Sequence, residues 1–550
     1  MVTIILAYII SSLAFTYPLI LKLGSFLPGQ PNDAYVYLWN IGNFWNQIST
    51  GGNLFFSQNV MYPIGANLFF HTYAPFVSLL AFPLLNNLSL FMGLAIITAV
   101  TLSCLTSYFL TFRITNDKQA SFIGGLVYGV SPIIHSFIQS QHYYFLFSAV
   151  LYPLGTLFVI KFIENKKLKF LFLSISLFWV VLAIDYYSTV LYSFLVSLFF
   201  LTSQKLNLSV IIKAFISVVF IILIPLILFF NFDKNFKEFI GYKQGVNTSS
   251  SCNTELLGFI TPNISNPFIG FPHLINLDTP SYYLGWGILI LAIISVIKNR
   301  KHKYVKSFAF IFILFLALSL GTSDKFHTPF YYFLKIPILG FIDCPIRFPI
   351  ILQLGLSVFI ATFISNYKKI TKIFIITLIL LIVEYAVINN DFSSTKVPAV
   401  YEDLSLQKDV RTVLEMPSGI SESKSAFGYD WSIQALHSQQ MYWQTIYKKP
   451  RVGVYMSRLT PDKYTFFKSE PVISDIFNYT SAGGTKPQKD LPETAINEFI
   501  KKFNLGYIIL SPNARQSEFS DFIEKEFSNF IVEKRIFDNF IYYKLLEIHS

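Results

Sequence analysis

Long apolar runs separated by short polar breaks fill the chain from residue 2 to about residue 388. After that the runs shorten, begin to alternate, and fall between charged stretches. An apolar run of about 20 residues is what a helix needs to cross a bilayer. Backbone groups in lipid must be bonded internally, so these runs are expected as helices rather than open sheet. The pattern predicts eleven spans, at 2–21, 88–112, 120–138, 142–163, 168–184, 185–203, 209–230, 283–297, 305–321, 349–366 and 370–388. The run 74–87 is apolar but short and is broken by Pro75 and Pro83, which suits a re-entrant or interfacial helix. The first run lacks a basic leader and a small-residue cleavage site, so it is read as a span.

Composition agrees. Apolar residues make up 53% of the 550 and charged residues only 13%, too little polar surface for a soluble chain of this size. Charge sorts the breaks into two sets. Breaks 113–118, 161–169, 201–213, 298–306 and 367–372 hold sixteen Lys and Arg against two acids, Asp117 and Glu164. The opposite breaks and span edges hold seven basic residues against nine acids. The excess of Lys and Arg on one set marks it as cytoplasmic, which gives a multi-pass cell-membrane protein with an inner N-terminus and an outer C-terminus. The net charge of +11 lies in those breaks, where anionic lipid is the natural partner. A nucleic-acid partner would need a concentrated basic patch, and none is read. Three cysteines, Cys104, Cys252 and Cys344, are too few and too scattered for a disulfide scaffold or a zinc site.

Residues 1–389 are thus read as a transmembrane domain with large outer loops at 22–73 and 231–282, and residues 390–550 as an extracytoplasmic α/β or α+β domain. In the first loop, Tyr35, Tyr37, Trp39, Phe44 and Trp45 suggest an amphipathic helix at the membrane interface. In the tail, VRTVLEMP and LGYIIL read as strands, ETAINEFIKKF and QSEFSDFIEKEF as helices, and FIVEKRIFDNFIYYKL as a closing hairpin. Neither a glycine-rich phosphate loop nor metal-ligand spacing occurs there.

Candidate chemistry gathers on the outer side. Asp33 follows the first span, where it either caps the helix beginning at Ala34 or serves as a catalytic carboxylate. Asp185 sits at the outer edge between two spans, and an ionisable group near lipid is costly enough to suggest function. Arg347 precedes a late span, and its planar fork suits a phosphate. His71, Gln139 and His142 are candidate substrate contacts.

Several segments in order resemble one family. They are PNDAYVYLWN after the first span, QNVMYPIGANLFFH, GGLVYGVSPIIHSFIQSQHYYFL, YYLGWGILILAI, DCPIRFPIILQLGL, and in the tail VLEMP, QQMYWQTIYKKPRVGVYMSRL and LGYIIL. Together they resemble the polyprenyl-phosphate-dependent membrane glycosyltransferases of the GT-C class. The resemblance implies sugar transfer on the outer face, from a lipid-phosphate-linked donor to a glycan, lipid or protein acceptor. Asp33 matches the acid of the family's first outer loop, which activates the acceptor hydroxyl or helps bind a divalent metal. The loop lacks a paired Asp-x-Asp, and Asp185 is a candidate by position alone. The resemblance implies a lipid-linked sugar donor and leaves a divalent metal open, with Asp33 as its candidate ligand. A non-catalytic relative in cell-surface glycan assembly is the main rival. A lipid or polysaccharide transporter is another, although no repeated halves are visible.

Overall fold

Helices form at every expected span that the structure describes. The computed structural model describes all residues except 70, 205–253, 270–281, 323–327, 337–338, 340–341, 343, 368–369, 390, 422–425, 488 and 549–550. The expected span 209–230 lies outside the described residues. The chain divides into two units, Met1–Gln30 with Leu90–Ser393 and Pro31–Ser89 with Ser394–Ser550.

The first unit is helical. Four of its helical stretches among the described residues are long and apolar enough to cross a membrane, at Leu88–Thr115, Lys118–Gln139, Tyr143–Asn165 and Pro345–Ser365. This is four, not eleven. The other runs form shorter apolar helices, among them Val2–Phe15, Leu168–Leu182, Tyr186–Thr202 and Trp286–Lys298. At 1.5 Å per residue, helices of 13–17 residues extend about 20–26 Å, short of a ~30 Å hydrocarbon core. Local chemistry stops them early. Thr16 and Tyr17 lead into Pro18 after the first helix, Asp185 caps the Tyr186–Thr202 helix through the Ser188 N–H, and Gly285, at φ +86°, precedes Trp286.

The breaks that charge assigns to one side meet one another. Arg113 pairs with Glu164, which also accepts a hydrogen bond from Tyr304 at 3.0 Å. Lys298 bonds Tyr367 at 2.7 Å, Asn366 bonds Asn299 at 2.7 Å, and Ser203 bonds Ser307 at 2.9 Å. These contacts join residues at or beside all five Lys- and Arg-rich breaks. At the opposite helix ends, Asn389 donates to the carbonyls of Phe15 and Tyr17 and the Ile388 N–H donates to Ser265.

The second unit is mixed α and β. Its main sheet runs Ile531–Phe537, Phe540–Leu545, Leu505–Leu510, Thr412–Met416, antiparallel except for the last pair. A parallel pair needs a long crossover, and helices Gln434–Tyr447, Pro461–Ser469, Pro471–Thr480 and Glu493–Lys502 fill it. A smaller sheet joins Ile420–Ser421 to Ala426–Phe427 and Val454–Tyr455. Residues of the first loop complete the core: Trp39, Phe44, Val60, Met61, Leu68 and Tyr73 share one cluster with Leu414, Met441, Ile508 and Phe519.

The helix Ala34–Thr50 therefore departs from the expected interfacial one. Tyr35, Tyr37, Trp39 and Phe44 are buried, and Trp39 and Phe44 belong to the core cluster of this unit. Trp39 donates its indole N–H to Gln444 at 2.8 Å, and Gly42 lies against Thr445, so the helix packs on Gln434–Tyr447. The rings have found protein, and a buried indole N–H needs such an acceptor. The short run at 74–87 becomes a helix at Pro75–Leu80 and a 3₁₀ turn at Phe82–Leu84.

Candidate active site

Asp33 stands at the N-terminus of the Ala34–Thr50 helix, half-buried, with its backbone already helical at φ −65° and ψ −20°. Its side chain makes no cap hydrogen bond. The carboxylate instead accepts the Tyr455 hydroxyl proton at 3.0 Å. Gln434 donates to the same Tyr455 oxygen at 2.7 Å and to Asn32 at 2.7 Å. A phenol oxygen that accepts from Gln434 has its own proton left for Asp33. Burial and the negative charge of Asp33 raise the Tyr455 hydroxyl well above its ordinary range, so it stays a donor. Tyr455 stacks on Tyr429, which stacks on His437 at 4.2 Å. Tyr455 and Gln434 were not singled out in the sequence, because strand and helix residues more than 400 positions from Asp33 leave no local signal.

His71 lies in the same unit as a brace. It is buried, with Nδ1 at 2.9 Å from Ser457 Oγ and Nε2 at 3.0 Å from Asn40 Oδ1. Burial, aided by the charge of Arg458, depresses its pKa to about 3, so the ring is neutral. Both ring nitrogens are engaged within the protein, and they tie the loop to the segment after Val454–Tyr455.

The remaining candidates belong to the helical unit. Arg347 closes a 3₁₀ turn, Pro345–Arg347. Its guanidinium lies over the rings of Phe145, 4.1 Å from the centroid, and Tyr187, 4.6 Å away. Its Nε is buried with no hydrogen-bond partner. His142 lies within electrostatic reach of Arg347 and edge-on to Phe145. The Tyr187 hydroxyl bonds the Cys344 carbonyl, which fixes the turn that presents Arg347. Asp185, two residues before Tyr187, is buried, and its carboxylate accepts the Ser188 N–H at 2.6 Å. That is the geometry of a helix cap. Gln139 stands apart from the arginine and bonds Asn389 at 2.7 Å. Arg347, His142 and Tyr187 thus form one group, and Gln139 serves a separate junction.

Among the described residues no group of three or more His, Cys, Asp or Glu side chains converges. The hydrogen bonds around Asp33 include one from a phenol and, one step further, those of two amides. No step through a metal is derived.

No family model matches the chain, and no curated protein matches it. Among solved structures, it is similar over 92% of its length to the arabinofuranosyltransferase AftD from Mycobacteria, at 14% identity and a TM-score of 0.47, and spans 36% of that chain. It thus corresponds to about a third of that enzyme's length. It is similar over 92% of its length to an oligosaccharyltransferase of Archaeoglobus fulgidus, at 12% identity and a TM-score of 0.46, and spans 67% of that chain. The same oligosaccharyltransferase tethered to an acceptor peptide matches all of this chain and 74% of its own, at 11% identity and a TM-score of 0.43. At such identities and scores, the chemistry of this chain is argued from its own residues.

Proposed function

We propose that this protein is a membrane glycosyltransferase that moves a sugar from a polyprenyl-phosphate-linked donor to a glycan, lipid or protein acceptor on the outer membrane face. The observation that carries this reading is the state of Asp33. Its carboxylate is not spent on capping its helix and is held in place by a phenol that stays protonated. In this reading Asp33 takes the proton of the acceptor hydroxyl as that oxygen attacks the anomeric carbon. The bond from that carbon to the carrier phosphate breaks, and the electron pair leaves with the phosphate. Separately, the helical unit offers Arg347 as a candidate contact for a carrier phosphate. Its support is a guanidinium seated between two rings with a buried, unpartnered Nε, and a planar fork suits phosphate oxygens. His142 accompanies it, and a single displacement of this kind inverts the anomeric centre.

The outer placement draws support from two features. The Lys- and Arg-rich breaks associate at one end of the helical unit, and a basic end faces the cytoplasm. Cys344, on the opposite set of loops, is disulfide-bonded, as suits an oxidising compartment.

The test is a transfer assay with full-length protein in lipid and a panel of polyprenyl-phosphate sugars. Transfer by the wild type that Asp33→Asn abolishes supports the reading. Unchanged turnover by Asp33→Asn removes its catalytic base.

A further inference from the structure

Residues 254–269 form a loop with an unusual division of labour. Part of its backbone is bonded internally or to neighbouring segments, while its large side chains face outward. The N–H groups of Gly258, Ile260 and Asn266 donate to Glu255, Leu257 and Asn263 carbonyls at 2.9–3.0 Å. The N–H of Ser265 donates to the Asn263 side chain, and those of Phe268 and Ile269 donate to the Asn266 side chain, at 2.8–2.9 Å. Carbonyls are also taken: Phe259 accepts from the Leu284 N–H, Ile260 from the Trp286 indole at 2.7 Å, and Ser265 from the Ile388 N–H. By contrast Leu256, Leu257 and Ile260 are exposed, Phe268 is 61% exposed and Ile264 is 79% exposed. Glu255 is the loop's one charged residue.

The loop is fastened to two apolar helices. Asn266 donates to the Val383 and Glu384 carbonyls, both at 3.0 Å, at the end of Ile370–Tyr385. The Glu384 carboxylate in turn accepts the Gly287 and Ile288 N–H groups, at 2.6 and 3.2 Å, at the start of Trp286–Lys298. Both helices carry exposed isoleucines, Ile290, Ile293 and Ile297 on one and Ile375, Ile379 and Ile382 on the other. Exposed apolar side chains therefore lie on both helices, where lipid is their natural contact, and on the loop fastened to the ends of those helices.

We infer that residues 254–269 insert into the leaflet at that end of the helical unit, with Leu257, Ile260, Ile264 and Phe268 among the acyl chains. The occupant of this surface is lipid. Unpaired backbone polar groups are costly in hydrocarbon, so the backbone of this loop stays at the interface, with part of it already bonded within the protein, while the side chains reach inward. Its apolar side chains and the flanking Trp286 match the make-up of interfacial anchors. The inference does not depend on the proposed transfer reaction.

A fluorescent amino acid placed by codon suppression at position 264 of the full chain tests it, in phosphatidylcholine–phosphatidylglycerol vesicles. A second protein carries the label at Lys301, in a charged break. Lipids brominated on their acyl chains should quench the label at 264 several-fold more than aqueous iodide does, and iodide should dominate at 301. In Phe268→Glu, lipid quenching at 264 should fall several-fold while the protein keeps its elution volume. Iodide quenching at 264 equal to that at 301 overturns the inference. So does shielding at 264 from both quenchers, since a protein partner or a second copy would then cover the loop.

Discussion

A carboxylate is judged by what holds it. Asp33 and Asp185 both precede helices, and only Asp185 spends its side chain on the cap. Asn is as good an N-cap as Asp. Asp185→Asn should therefore leave both stability and turnover near wild type, while Asp185→Ala should cost about 1 kcal/mol, read as a lower unfolding midpoint in detergent. Asp33→Asn should show the opposite pattern, with an unchanged midpoint and turnover lower by about 100-fold or more, the scale of acid–base assistance. Tyr455→Phe removes one hydroxyl from Asp33 without changing the ring that stacks on Tyr429. Loss of that hydrogen bond should move the acidic limb of the pH–rate profile upward, because a hydrogen bond to the ionised carboxylate favours ionisation. A profile that does not move would assign Tyr455 to packing alone. Neither Tyr455 nor the internal ties of His71 could be read from the sequence, since both depend on a segment more than 380 residues downstream.

Elements were more legible than the residues that serve them. The tail strands appear at Thr412–Met416 and Leu505–Leu510, its helices at Glu493–Lys502 and Gln516–Glu526, and its hairpin at Ile531–Leu545, because period and composition fix such elements locally. What packs on what was less legible. The aromatic stripe of Ala34–Thr50 reads equally well as an interfacial belt or a protein core, and only the partner helix Gln434–Tyr447 decides. Helix lengths were overread for a related reason, since hydropathy runs on through the caps and prolines that end a helix. The second unit also carries an acid-sensitive pair of elements. Burial depresses His71 and His437 to about 3, with Arg458 adding to the first and Arg451 to the second. The unfolded chain takes up protons near pH 6.5 that the folded chain refuses, so these histidines cost stability as pH falls from 6.5 towards 3. Glu415 acts with the opposite sign. Burial lifts its carboxyl to about 7 against the pull of Arg451, so its contribution is lost as pH rises through that value. His71→Asn should thus flatten the acid side of a melting-temperature profile, and Glu415→Gln should steepen it. An unaltered acid slope in His71→Asn would mean that the ring titrates normally in the fold.

At the scale of the molecule, the second unit is discontinuous. A protein made of residues 394–550 alone lacks Trp39, Phe44, Val60, Met61 and Leu68 from its core. It should give a poorly dispersed NMR spectrum and no cooperative melt, and a linked 31–89 segment should restore both. A cooperative melt by the tail alone would show that its own residues suffice. The proposed orientation makes a cysteine introduced at Ser481 reactive to an impermeant reagent added outside, and one at His302 unreactive. The reverse result would turn the protein over and move Asp33 to the cytoplasm.

The split of that unit also sets an order of assembly. Residues 31–89 leave the ribosome about 300 residues before the tail they pack against. The partner helix Gln434–Tyr447 follows about 380 residues after the Ala34–Thr50 helix, so at 5–20 residues per second that helix waits about 20–80 s with Trp39, Tyr35 and Phe44 uncovered. Premature collapse of that aromatic stripe onto lipid or a chaperone is thus built into the chain's own schedule, and the arrival of Gln434–Tyr447 is the event that releases it.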